Sequence, residues 1–306
     1  MDAASQQKIL GYFIEEAKEH LETIEQGILE LDSVLEDKER VNELFRAAHS
    51  IKGGAAMLGY TSIQKTSHRL EDAFKIFQDS KIVVDQQLEA LFLSAYDVLS
   101  TLIEKLQSPY GLKDEEGLVL VKEAEPQFVS LQSYLEQLVH GGGTAPAPAV
   151  AQKISTPAPV IAAPTVAIGD QLRDLLRKML ELFKQEATAD RRQQLQKICI
   201  DLAKLDKENK SWQSILKAAH KAIATQTYSF DLLAPVIIRE LKTSCDHLEL
   251  GEAEKITLSP ELKNLAMAKV PQILVPVEPK HAAQTIAKAF NRNQIAQLVK
   301  ILSSQK

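Results

Sequence analysis

The chain has little cysteine, few aromatics and no long apolar run. Its two cysteines, Cys199 and Cys245, lie in "LQKICIDLAKL" and "IIRELKTSCDHL", on apolar faces of expected helices. Buried thiols are predicted there, with no disulfide and no reactive role. No stretch of eighteen apolar residues occurs, and the N-terminal "MDAASQQKILGYFIEEAKEH" has no basic start followed by an apolar core. Neither a membrane span nor a signal peptide is therefore expected, and a soluble, cytoplasmic chain is. No segment alternates apolar and polar residues as a half-buried strand would, and no nucleic-acid-binding motif is present.

What is abundant points to helices. Ala, Leu, Gln, Glu and Lys are plentiful, and apolar residues recur three and four positions apart, so the expected class is all-α. At 306 residues the chain suits two domains. Residues 141–167, "GGGTAPAPAVAQKISTPAPVIAAPTVA", have no amphipathic period and read as a flexible Ala/Pro linker between a domain at 1–140 and a helical adaptor domain at 168–269. Fully extended at roughly 3.1 Å per residue, that linker would reach about 80 Å. Charge divides at the same place. Residues 1–140 hold 13 Lys and Arg against 25 Asp and Glu, a net of −12; residues 141–306 hold 23 against 16, a net of +7. Opposite charges on one tether allow transient docking between the halves, or each charged face simply meets solvent and its own partner.

Helices are predicted over 5–35, 39–58, 62–79, 85–107 and 115–139, enough for an antiparallel bundle. Gly59 closes the second, and "TSIQ" at 61–64 reads as a capping box opening the third. Helices two and three then form a hairpin, in which facing residues share an index sum of about 120. This places His49 opposite Glu71 and Lys52 opposite His68, so four polar side chains converge. A carboxylate on Nδ1 of an imidazole fixes the tautomer and leaves the Nε2 lone pair free, so His49 is the candidate nucleophile. Lys52 and His68 would meet a phosphoryl oxygen. Gly53 and Gly54, each costing about 1 kcal/mol in a helix, would leave room for a second protein to approach. The competing reading is a metal site of His49, His68 and Glu71, against which Lys52 would repel a cation.

"FRAAHSIKGGAAMLG" followed by "SHRLEDAF" resembles the histidine phosphotransfer (HPt) domain, in particular the N-terminal domain of chemotaxis histidine kinases of the CheA and PilL type. The resemblance covers about residues 5–138. It implies a phosphorelay carrier: His49 phosphorylated on Nε2 by a histidine kinase and discharged to an aspartate of a response-regulator receiver domain, with Glu71 as the partner of His49. It implies no cofactor resident in this chain, any Mg²⁺ belonging to the partners. Chemotaxis, phototaxis or pilus-driven motility is the output class implied. An ATP-binding half would need glycine-rich loops, yet after residue 143 the glycines are Gly169 and Gly251 alone. The expectation is a carrier, not an enzyme, charged by a separate kinase chain; the alternative is a non-catalytic adaptor whose HPt domain is regulatory or vestigial.

In the second half, helices are predicted near 168–187, 190–206, 210–225, 231–249 and 260–268, the last capped by Ser259 with Pro260 at its first position. "WQSILKAAHKAI" echoes the motif around His49. Three and twenty-two residues after His220, however, stand Ile223 and Lys242, so His220 reads as an ordinary helical histidine, as do His20, His140, His247 and His281. Residues 270–306 read as an extended strap and an amphipathic helix with Ile286, Phe290, Leu298, Ile301 and Leu302 on one stripe, which either packs on its own domain or docks a partner through 281–304. Membrane-surface binding is disfavoured by sparse basic residues and the absence of Trp there.

Overall fold

The computed structural model describes residues 3–80, 82–108, 111–140, 164–267, 275, 278–289 and 292–303. Among these the regular structure is helical throughout, without a strand. The first half comprises α1 (Ala3–Leu29), α2 (Leu31–Glu36), α3 (Lys38–Leu58), α4 (Thr61–Asp79), α5 (Gln86–Gln107), α6 (Asp114–Glu123) and α7 (Glu125–His140). Two expected helices are each divided. The segment expected over 115–139 breaks at Ala124 because Pro126 has no N–H to donate and its ring crowds the carbonyl four residues back. The first helix breaks at Glu30.

Caps set the register of the hairpin. Asp37 opens α3 by accepting the backbone N–H of Glu39 at 2.9 Å, and Gly59, at φ 86°, closes it in the left-handed conformation. The expected Thr61–Gln64 capping box does not form: Tyr60 occupies the cap without a side-chain bond, and Thr61 is already helical. The tight turn makes it so, since the Tyr60 N–H bonds back to Ala55 O at 2.9 Å and leaves the chain no residue to spare before α4. Behind the hairpin, Phe74 stacks on Phe92 and Phe77 tilts against both, with centroids 5.2–6.3 Å apart, and Ile24, Ile28, Leu44, Ile51 and Leu70 are among the core residues around them.

The second half comprises α8 (Pro164–Phe183), α9 (Ala189–Leu205), α10 (Lys210–Ala224), α11 (Phe230–Glu249) and α12 (Pro260–Met267). Thr188, Asn209, Ser229 and Ser259 each cap the helix that follows. Trp212 is fully buried and satisfies its indole N–H on Leu202 O at 3.2 Å. Arg192, also buried, donates to the carbonyls of Ile223, Thr225 and Tyr228 and stacks on Phe230, tying the α10–α11 connection to α9. Cys199 and Cys245 are both buried free thiols, and burial pushes the Cys199 thiol up to about 12.

Helix α8 starts at Pro164, inside the stretch expected to be linker, and ends at Phe183 rather than 187. Proline suits a first turn, where its missing N–H has no intrahelical partner to lose. The remainder of that stretch, 141–163, lies outside the described residues, as do most of 268–277 and Phe290. The terminal segment forms two helices, α13 (Pro279–Ala289) and α14 (Arg292–Ser303), in place of one, and Val299, Ile301 and Leu302 are each more than half exposed.

Candidate phosphoacceptor site

Helix α3 presents His49 to α4, and Glu71 meets it: Nδ1 lies 2.7 Å from Glu71 Oε1. The other carboxylate oxygen of Glu71 lies 2.5 Å from Lys52 Nζ, so one acid serves both polar residues of α3. Burial opposes ionisation of Glu71, but the His49 hydrogen bond and Lys52 outweigh it and bring its pKa down to about 2. Phe45, one turn before His49, stacks on the imidazole at 6.2 Å.

The structure does not bring His68 to this group. Its side chain is 60% exposed and its nearest charged partner is Asp72, at 3.6 Å. Three residues turn a helix about 60° short of a full circle. Once Glu71 points at α3, His68 therefore swings outward, and Lys52 reaches Glu71 in its place.

The site is also not open, contrary to the expectation for its glycines. His49 is 5% exposed, and what covers it is the second half of the same chain. Helix α11 packs on α1 and α3, and α8 on α3. Glu249, the last residue of α11, sets its Oε2 3.2 Å from His49 Nε2. The alignment is not that of a hydrogen bond, and Nε2 is otherwise buried without a partner. Glu249 is held by Arg173 of α8. A Cβ at Gly53 would lie 3.0 Å from Asp246 Oδ1, and one at Gly54 would overlap Phe13 and come within 3.7 Å of the Lys242 side chain. The bare backbone that reads as access for another protein is filled by this protein's own helix.

Around this contact lies a buried charged network. Lys242 Nζ bonds Glu16 at 2.6 Å, Ser50 Oγ at 2.6 Å and Asp246 at 2.9 Å. Arg46 pairs with Glu252, and Arg177 donates to Ala56 O at 2.6 Å. Burial works against the Lys242 charge, yet Asp246 and Glu16 raise its pKa above the usual lysine value. Burial likewise disfavours the imidazolium of His49, but the carboxylates of Glu249, Glu71 and Asp246 prevail and raise its pKa to about 9. The covering carboxylates thus favour the imidazolium form of the ring, in which Nε2 has no free lone pair.

Sequence reasoning missed Glu249, Asp246, Arg173 and Lys242. The one signal in the sequence was the opposite net charge of the halves, which names no residue. Among the described residues, no cluster of three or more His, Cys, Asp or Glu is arranged to hold a metal, and no helix is long and apolar enough to cross a membrane.

Comparison with known proteins matches residues 8–109 to the Hpt domain family. The chemotaxis protein CheA of Treponema pallidum is 30% identical over 169 residues, 55% of this chain and 19% of that protein. CheA of Klebsiella aerogenes is 32% identical over 151 residues, 49% of this chain and 22% of that protein. CheA of Salmonella typhimurium is 38% identical over 87 residues, 28% of this chain and 13% of that protein. The chain thus spans about a fifth or less of the length of these relatives. No solved structure matches. The α3–α4 hairpin with its His49–Glu71 pair lies inside the matched region, and residues 8–109 are accordingly an Hpt domain like that of CheA, while the second helical half belongs to no identified family.

Proposed function

We propose that the protein is a phosphorelay carrier whose phosphoacceptor is His49 Nε2. The observation that carries this reading is the 2.7 Å contact of Nδ1 with Glu71 inside the Hpt-matched hairpin. With Nδ1–H donated to Glu71, the Nε2 lone pair of the neutral ring attacks the γ-phosphorus of ATP held by a separate kinase chain. The new N–P bond forms as the bond to the ADP oxygen breaks. Glu71 stabilises the positive charge the ring acquires, and Lys52 pairs with a phosphoryl oxygen. The receiver aspartate of a response regulator then takes the phosphoryl group, with Mg²⁺ supplied by the partner proteins. The names of the relatives support chemotaxis signalling as the setting; phototaxis or pilus-driven motility as the output, and the cytoplasm as the compartment, are part of the proposal.

Incubating the protein with a chemotaxis-type kinase domain and radiolabelled ATP tests this. An acid-labile, base-stable label should appear and be absent in His49→Gln. Glu71→Ala should slow uptake by less than about 10²-fold, since the kinase supplies part of the catalysis, while leaving the helical content intact. Label that persists in His49→Gln overturns the assignment. Burial of His49 favours a second reading, an adaptor with a silent Hpt domain, and failure of both the full chain and its released first half to label with any kinase would support it.

A further inference from the structure

The contact between the two halves is built, not incidental. Ile9 of α1 and Met57 of α3 are buried within the apolar core of the second bundle, alongside side chains of α8, α10 and α11. Arg239 stacks over Tyr12 at 5.2 Å. The polar centre is equally specific: Lys242 bridges Glu16 and Asp246, and Arg46 meets Glu252 across the seam. Local geometry then aims one carboxylate. Helix α11 ends at Glu249, and Gly251, at φ 72°, turns the chain back so that the Glu252 N–H bonds His247 O at 2.8 Å. On the opposite side Gly169 of α8 makes room, because a Cβ there would stand 2.8 Å from the Glu249 carboxyl carbon.

We propose that the second helical half is an intramolecular cap on the phosphoacceptor, with Glu249 occupying the position at His49 Nε2 that an incoming phosphoryl group needs, so that phosphorylation and docking exclude one another. The inference rests on the reading of His49 as phosphoacceptor. Two physical effects act together. Phosphorus bonded to Nε2 and its three oxygens would need the volume of the Glu249 carboxylate, and their negative charge would face Glu249 and Asp246 in a buried site. Those same carboxylates moreover favour the imidazolium, in which the Nε2 lone pair is withheld. Release removes Glu249, Asp246 and Arg173, leaves Glu71 and Lys52 in place, and frees Nε2.

The relation runs both ways. If docking disfavours phosphorylation, a phosphoryl group on His49 disfavours docking by the same factor. Charging the carrier therefore uncovers the α8–α11 face, including Lys242, Arg173 and Arg177, and the phosphate serves as a release signal as well as cargo. Because the two halves belong to one chain, recapture after discharge is an intramolecular step.

Phosphoramidate tests the cap without a protein partner that could itself be excluded. Its N–P bond breaks, Nε2 gains the phosphoryl group, and ammonia departs with the proton. ³¹P NMR follows phosphohistidine in the full chain and in a Lys242→Glu chain carrying a protease site within 141–163, cut after folding and its oppositely charged halves separated by ion exchange. The substitution sets a third carboxylate beside Glu16 and Asp246 and so drives the halves apart. We expect the freed first half to label at least tenfold faster than the full chain, and the labelled full chain to expand in X-ray scattering. Equal labelling rates for the two, or a labelled chain that stays docked, overturn the cap. Absence of label at His49 in both samples overturns the phosphoacceptor reading instead.

Discussion

Two helices of this protein carry nearly the same words, "FRAAHSIKG" in α3 and "LKAAHKAIA" in α10, and they do different things with them. The difference lies in what the neighbouring helix delivers. His49 is met by Glu71 from α4, and three residues on stands Lys52, long enough to share that acid. His220 is half-buried, and three residues on stands Ile223, fully buried in the second core. The residue at the spacing of Glu71 is Lys242, whose charge is turned to the seam with the first bundle. A histidine on an alanine-rich helix is thus made into a candidate nucleophile by a second helix, and the same local sequence without that partner serves packing. Lys242 completes the contrast, since the position that withholds a carboxylate from His220 supplies the cation that brings Glu249 to His49.

The sharpest way to break this arrangement is Lys242→Met. It strands Glu16 and Asp246 against each other at the seam. Removing one partner of a buried ion pair usually costs about 3–5 kcal/mol; because Glu16 is partly exposed, a loss of about 2–3 kcal/mol of docking free energy is expected. Amide NMR should show the α1 and α3 resonances of the first bundle moving to a released state, with helical content retained. Glu16→Gln in the same chain should recover part of the loss, because it removes one of the two stranded charges. A docked Lys242→Met protein would reduce the network to decoration.

A milder perturbation is pH. The pKa of His49 is raised in the docked state from an ordinary value near 6.5 to about 9. A raised pKa means that the docked state binds the proton more tightly than the released one. Glu71 stays beside His49 on release, so only the part of the shift owed to Glu249 and Asp246 stabilises docking; that part is fully present below the pKa of the released ring and is lost as pH rises through about 9. The groups facing the ring in that window are Glu71 and Lys52 from the first bundle and Glu249, Asp246 and Arg173 from the second. Docking should weaken by about 2 kcal/mol between about pH 6.5 and 9.5, read from the same amide resonances, and His49→Gln should flatten the profile. An undiminished pH dependence in His49→Gln would assign the titration elsewhere.

The sequence made the first bundle readable because its information is local. A hairpin turning near Tyr60 fixes which residues of α3 and α4 face one another, and the 49–71 pair follows from counting. The 52–68 pair failed because counting gives height along a hairpin and not rotation about each helix. The cap was illegible for a different reason. Glu249 reaches His49 across 200 positions of chain, through two bundles whose mutual orientation depends on Ile9, Met57, Tyr12 and Arg239 together, and no periodicity encodes such a meeting. The helices of the second half were legible as apolar stripes and, at Ser259, as a cap, but no recognisable site lay among them, so their use was not. Gly169 stood in the sequence as an isolated glycine, and its reason appears only when the Glu249 carboxylate is seen against it.

The smallest expected effect is also the one that separates two uses of glycine in α3. Gly53 sits in mid-helix, where alanine is worth about 1 kcal/mol more. If the residue is kept small for docking, the added methyl group is crowded at the seam, because its Cβ would lie 3.0 Å from Asp246 Oδ1. Asp246 is not free to retreat, being bonded to Ser50 and Lys242. Gly53→Ala should therefore change the stability of the full chain by less than about 0.5 kcal/mol, the higher helix propensity of alanine being nearly offset by its crowding against Asp246. In an Asp246→Ala background the obstacle is gone, and the same substitution should stabilise by about 0.5–1 kcal/mol, measured by urea denaturation as a double-mutant cycle. A coupling of zero between positions 53 and 246 would return the glycine to the role of leaving room for a partner protein, in which case Gly53→Ala should slow phosphoryl transfer from the kinase while leaving the docked resonances unmoved.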